Sequence, residues 1–269
     1  MTQKFTRLAL AAAIAGALCA PGGAAMAASK AASKATASSA AHKPDPAAID
    51  ALVKMNSYLQ TVKQFDLDVD STTDQIMVDG STTQLIQMSH HTKMTVSRPD
   101  SLKADVVGGA PGNSRHAIYD GKTFTLYTEP ANYYATVPAP STIKELIGDL
   151  ESRFGVELPL NDIFSLGADP AAFADVISAV YVGDEVVNGN TCSHYAYHQK
   201  QIDWQIWIQK GEQPLPCKLN IVTSADKERP QYTAVYRWNL KPEITPATFK
   251  FTPPENAHQI KFVQSGDAQ

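Results

Sequence analysis

Between Asp203 and Gln209, the residues Trp204, Ile206 and Ile208 alternate with Gln205, Trp207 and Gln209. A period of two sends the two sets to opposite faces of one extended strand. A chain carrying such a strand must build a sheet with two chemically different faces. The flanking stretches read the same way. Cys192 to His198 is strand-like, and after the breaker run Gly211 to Pro216 comes Leu219-Asn220-Ile221-Val222-Thr223, so the unit reads as a three-stranded antiparallel meander.

Upstream, Asp45-Pro46 has the form of a helix start, with Asp as N-cap and Pro in the first helical position. Ile49, Leu52, Val53, Leu59 and Val62 then recur at spacings of three and four, which predicts a helix to about Thr61 with one apolar stripe. Phe65 to Asp70 alternates strictly, Asp79-Gly80 is a turn, and Leu85 to Ser97 and Ser101 to Val107 continue as strands. His116 to Tyr119, Thr123 to Tyr127 and Tyr133 to Val137 extend this up-and-down meander. Between Pro140 and Ala179 the period changes. Thr142 and Glu145 form a capping box ahead of the helical stripe Ile143, Leu146, Ile147, Leu150 and Phe154, and Leu158 to Phe164 and Pro170 to Phe173 read as short helical turns. Strands resume at Ala179 to Val187, with Asn188-Gly189 as a turn, and run through the central meander to Gln231–Leu240 and a tail at Phe249 to Pro254. The order helix, strands, helices, strands is that of an α+β protein.

The first residues specify a destination. Lys4 and Arg7 precede the apolar run Leu8 to Ala20, and Ala25-Met26-Ala27 fits a small-x-small cleavage site. The run is shorter than the roughly 20 residues that span a bilayer and ends in Pro21-Gly22-Gly23. Residues 1–27 are therefore expected to be a cleaved signal peptide, 28–45 an Ala/Ser/Lys linker too polar to fold, and 46–265 one domain. Leu18 before Cys19 lacks the small residue that lipidation requires, so Cys19 is assigned to the discarded peptide, and no later stretch is apolar enough to span a membrane.

Export places Cys192 and Cys217 in an oxidising compartment, where a lone pair is expected to form a disulfide. A regular meander opposes this, because it holds the two on strands about 10 Å apart, beyond the roughly 7 Å Cα limit for a bridge. A bulge or another strand order is needed to join them.

The sequence lacks nucleophile elbows, phosphate and dinucleotide loops, and paired helical histidine ligands. Asp66, Asp68 and Asp70 lack the glycine and closing acidic residue of a calcium loop, so they are read as a solvated strand face. Cys192, His194 and His198 share one strand face and are the remaining metal candidates, although a disulfide at Cys192 would remove its thiolate. The net charge of −4 gives no basic face for nucleic acid. No cofactor is expected.

Three stretches carry a family resemblance: Asp203-Trp204-Gln205-Ile206-Trp207-Ile208 with Pro214-Leu215-Pro216, then Arg229 to Val235 with Trp238, then Phe249-Lys250-Phe251 with Pro253-Pro254. From about Pro46 to Val263 the chain resembles exported bacterial proteins catalogued as domain of unknown function 2092, which share the fold of the periplasmic lipoprotein carrier LolA. The resemblance implies a strongly curved antiparallel sheet, an incomplete β-barrel, whose apolar concave face is covered by helices. It also implies a periplasmic protein that binds a lipid or a lipoprotein acyl chain without covalent catalysis. Trp204, Ile206 and Ile208 on the sheet, with Leu146, Ile147 and Leu150 on the cover, are the candidate cavity wall, against the alternative that they fill one another's space as ordinary core. Two other functions remain open: an envelope module that senses stress or binds a protein partner, favoured by an exposed apolar patch at Trp207, and a metal-dependent enzyme at Cys192, His194 and His198.

Overall fold

The structure, a computed structural model, describes residues 44–109, 113–129, 131–156, 158 and 175–263. Helix α1 (Pro46–Thr61) begins as its sequence predicts, with Asp45 Oδ1 accepting the Ala47 N–H at 2.9 Å. Six strands follow: β1 (Gln64–Asp79), β2 (Thr82–Ser97), β3 (Ser101–Gly108), β4 (Ser114–Tyr119), β5 (Thr123–Thr128) and β6 (Tyr133–Pro138). Helix α2 (Ile143–Phe154) is capped by Thr142, whose hydroxyl accepts the Glu145 N–H, and it stops at Gly155 in the left-handed conformation. The short turns expected over 158–164 and 170–173 lie outside the described residues, apart from Leu158.

The second run of strands is β7 (Ser178–Val187), β8 (Asn190–His198), β9 (Ile202–Gln209), β10 (Pro216–Thr223), β11 (Gln231–Asn239) and β12 (His258–Gln259). All twelve form one open sheet, ordered β12-β6-β5-β4-β3-β2-β1-β11-β10-β9-β8-β7. Two meanders are therefore joined at a seam between β1 and β11, from Asp66↔Asn239 to Thr73↔Tyr232. Sequence pattern locates each hairpin, because turn residues are local. It does not reveal this seam, which pairs residues more than 150 positions apart, as Arg237 and Asp68 do.

The pleat sorts side chains by face. Leu67 pairs with Met94 on one side and with Trp238 on the other, and all three belong to one core cluster with Ile206, Tyr197 and Phe124 from distant strands. A sheet whose remote strands meet in a single core is strongly curved. Both helices lie in its concavity, α1 through Ala48, Leu52, Met55 and Leu59, α2 through Ile143, Leu146 and Leu150.

Two expectations need correction. The buried stripe of α1 runs through Ala48, Leu52, Met55 and Leu59 with Ile49 partly buried beside it, while Val53, at the margin of the predicted stripe, turns outward and is 44% exposed. The tail at Phe249–Pro254 is not a strand. It packs Phe251 against Tyr127 and Tyr134, then pairs β12 in parallel with β6, and seats Phe262 against Phe124 and Phe154. The tail thus crosses the β6 edge from the convex to the concave side.

Candidate functional site

The concave face is one apolar belt. From β1 it passes through Phe65 to Val96, Leu102, Tyr119, Phe124 and Val137, each the cross-strand partner of the one before. In the other direction Leu219 faces Ile206, which faces Tyr195, and Trp204 faces Tyr197, which faces Ala179. The polar tips of the aromatic residues are satisfied at the margins. Tyr197 donates its hydroxyl to Ala48 O at 2.8 Å, Trp204 Nε1 donates to Gln199 Oε1 at 3.0 Å, and Tyr119 donates to Pro140 O. Burial pushes the Tyr119 hydroxyl up to about 12 and raises that of Tyr197 further, so both remain donors at neutral pH.

All six predicted wall residues meet in this core. Trp204, Ile206, Ile208, Leu146 and Leu150 are no more than 7% exposed, and Ile147 is half-buried against the same cluster. They belong to one packed cluster, in which Trp204 is stacked on Tyr197 at 4.1 Å. The polar exception on the buried side of α1 is Asn56, whose Oδ1 is buried without a hydrogen-bond partner among the described residues. A second concavity of about 440 Å³ lies on the outer side of α1, between Val53, Tyr58, Gly211 and Pro214.

The convex face around β9 is closed. Trp207 is 5% exposed, with the His194 ring stacked on it at 3.9 Å and Lys218 Nζ 4.3 Å from its centroid. Trp207 is therefore covered by its cross-strand neighbours, and the exposed apolar patch that would favour a protein-interaction module is not found there. Beside it, Cys192 and Cys217 form a disulfide with Cα atoms 6.7 Å apart. The register explains how. Pro216 faces Ile208 and Lys218 faces Trp207, so Cys217 is the extra residue of a bulge and joins Lys218 on the convex side.

The metal candidates do not converge. Cys192 is spent in the disulfide, His194 Nε2 lies 2.9 Å from Gln205 Oε1, and His198 Nδ1 is bonded to Asp203 Oδ1 at 2.6 Å. The aspartates of β1 are likewise engaged: Arg237 bridges Asp68 and Asp70, His91 bonds Asp70, and Thr95 bonds Asp66. One cluster was not foreseen in sequence. His116 Nδ1 lies 2.7 Å from Asp105 Oδ1, and Ser114 Oγ stands 3.5 Å from Nε2, an outline of a nucleophilic triad. Glu129 Oε1 holds the same Nε2 at 3.1 Å, so the serine has no free base. The β3–β4 register creates this grouping, and spacing in the sequence carries no trace of it.

These features define a class: an α+β protein built as an open, curved antiparallel sheet with an apolar concave face under α1 and α2. The chain belongs to the family described as "Predicted periplasmic protein (DUF2092)", which matches residues 48–263. No curated protein matches it. Among solved structures it is similar to an uncharacterized conserved protein from Thermus thermophilus, at 10% identity and a TM-score of 0.43, over 80% of this chain and 99% of that one. It is also similar to LprF from Mycobacterium bovis, at 12% identity and a TM-score of 0.41, over 80% and 99%. The Pseudomonas aeruginosa MucA/MucB complex aligns at 12% identity and a TM-score of 0.38, over 77% of this chain and 61% of that one.

Proposed function

We propose that this protein is exported, cleaved after Ala27, tethered by residues 28–45, and binds a hydrophobic ligand, a lipid or a lipoprotein acyl chain, without covalent catalysis. The observation that carries the reading is the continuous apolar belt on the concave face, closed by helices instead of by a second sheet. A sheet-on-sheet core cannot part without breaking its packing along whole strands. A helix lid can swing, and each methylene it then covers contributes about 0.8 kcal/mol to holding an acyl chain. No catalytic group is needed for this. The dry aromatic and aliphatic wall supplies affinity, and Asn56 Oδ1 offers one buried acceptor for a ligand hydroxyl or amide.

Native mass spectrometry of protein recovered from a periplasm without detergent tests the reading. The expected spectrum begins at Ala28, lacks two hydrogens for the disulfide, and carries a lipid-sized adduct that leaves on collisional heating. A clean protein that also takes up no fluorescent fatty acid overturns it.

A further inference from the structure

The two longest strands outrun their neighbours. β11 accompanies β1 only to Thr73, and β3 accompanies β2 only from His90. Beyond those points the pairs Asp74↔Gln87 to Asp79↔Thr82 form a ribbon of two strands, about 20 Å long, with both edges unpaired by any strand among the described residues. It is apolar on both faces. Ile76, Val78 and Leu85 share the convex side, Met77, Ile86 and Met88 the concave side, and Val78 is 62% exposed. Two strands alone are marginal in water, and an unguarded edge is a template for another strand.

Elsewhere the chain guards its edges. β7 carries a bulge between Tyr181 and Gly183, the charges of Asp184 and Glu185, and an Asp45 N–H that caps Ala179 O. The far edge of β6 is covered by β12. On the ribbon no proline, bulge or ionisable residue interrupts Gln75–Val78 or Ser81–Ser89.

We propose that this ribbon is a dimerisation arm, and that its partner is the β2 edge of the same arm in a second copy of the chain. The β2 edge is the longer of the two, unpaired among the described residues from Thr82 to Met88, whereas Asp74 at the root of the β1 edge is already bonded to Gln231 N. Antiparallel pairing of two identical edges places a twofold axis across the ribbon, with Leu85 or Ile86 facing its own copy. Either centring brings the Asp79 tip of one arm to the foot of the other. There it meets His90 and Arg115, whose charge acts on His90, so the ends attract while the charge-free middle buries only apolar and amide groups. A charged partner strand would leave its charges unanswered along this middle.

Sedimentation equilibrium of the mature chain over a concentration series is the test. A reversible dimer is expected. Leu85→Lys, at an exposed site that leaves the core intact, should weaken it at least about tenfold, and Asp79→Lys should weaken it as well. Leu85→Cys or Ile86→Cys, whichever residue faces its own copy, should yield a disulfide-linked dimer on a non-reducing gel, whereas Val180→Cys on the β7 edge should not. Monomer at every concentration, or a dimer indifferent to Leu85→Lys, overturns the proposal.

Discussion

Asp184 stands on the β7 edge and accepts hydrogen bonds from Lys210 Nζ at 2.6 Å, Tyr181 Oη at 2.8 Å and Ser193 Oγ at 2.9 Å. The Lys210 bond, reinforced by the other two, holds its carboxyl at about 2, below the ordinary 3.8. A depressed carboxylate stabilises the fold above the unfolded value and loses that contribution as pH falls through the folded one. The tie between β7 and the β9–β10 turn should therefore persist from neutral pH to about pH 4 and fade towards pH 2. Carboxyl carbon NMR should show an Asp184 midpoint near 2, and Lys210→Met should move it upward. A midpoint unaffected by that change would mean that the lysine is not the cause. The disulfide shows a second single-residue effect. Without the extra residue at Cys217 that side chain would point into the concavity, and Cys192 would have no partner.

At the scale of elements, α1 offers the sharpest comparison. Met55 is fully buried beneath the sheet and Val53 is 44% exposed, although the sequence stripe counts Val53 and passes over Met55. Met55→Ala should cost about 2–5 kcal/mol through the cavity it leaves, and Val53→Ala no more than about 0.5 kcal/mol. Urea denaturation of the two variants checks this, and equal costs would restore the predicted stripe. Much of the architecture was legible for local reasons. Asp79-Gly80 and Asn188-Gly189 mark hairpins, with Gly80, Asn188 and Gly189 at positive φ, and Thr142 with Glu145 marks α2. What was illegible is non-local. The β1–β11 seam, the parallel β12 and the His116 cluster each depend on register between distant strands, which periodicity does not encode. The candidate wall residues Ile206 and Leu146 were legible as apolar positions, but only packing shows that they belong to one core cluster.

For the whole molecule, the seam and the two covers divide the labour. The seam fastens the meanders through backbone pairing and through Arg237 on Asp68 and Asp70, so the sheet should open only on global unfolding. The covers are held unequally. Asp45 N donates to Ala179 O ahead of α1, and just past its end Lys63 O accepts from Arg98 N at 2.8 Å, so backbone ties bracket that helix. Helix α2 is tied to the sheet by Ile143 N on Pro99 O at its start, and among the described residues its far end rests on side chains such as Phe154 against Phe262. If one cover admits an acyl chain it should be α2, pivoting about Ile143. Hydrogen exchange on the detergent-free protein should then show α2 amides opening well before those of α1 and of the β1–β11 seam. Loading with a fatty acid should slow α2 selectively, because the chain would occupy the space beneath Leu146 and Leu150 and bind the closed lid more tightly than the open one. Exchange in α2 as slow as in the seam would leave the concave face without a door, and the belt would then be core alone.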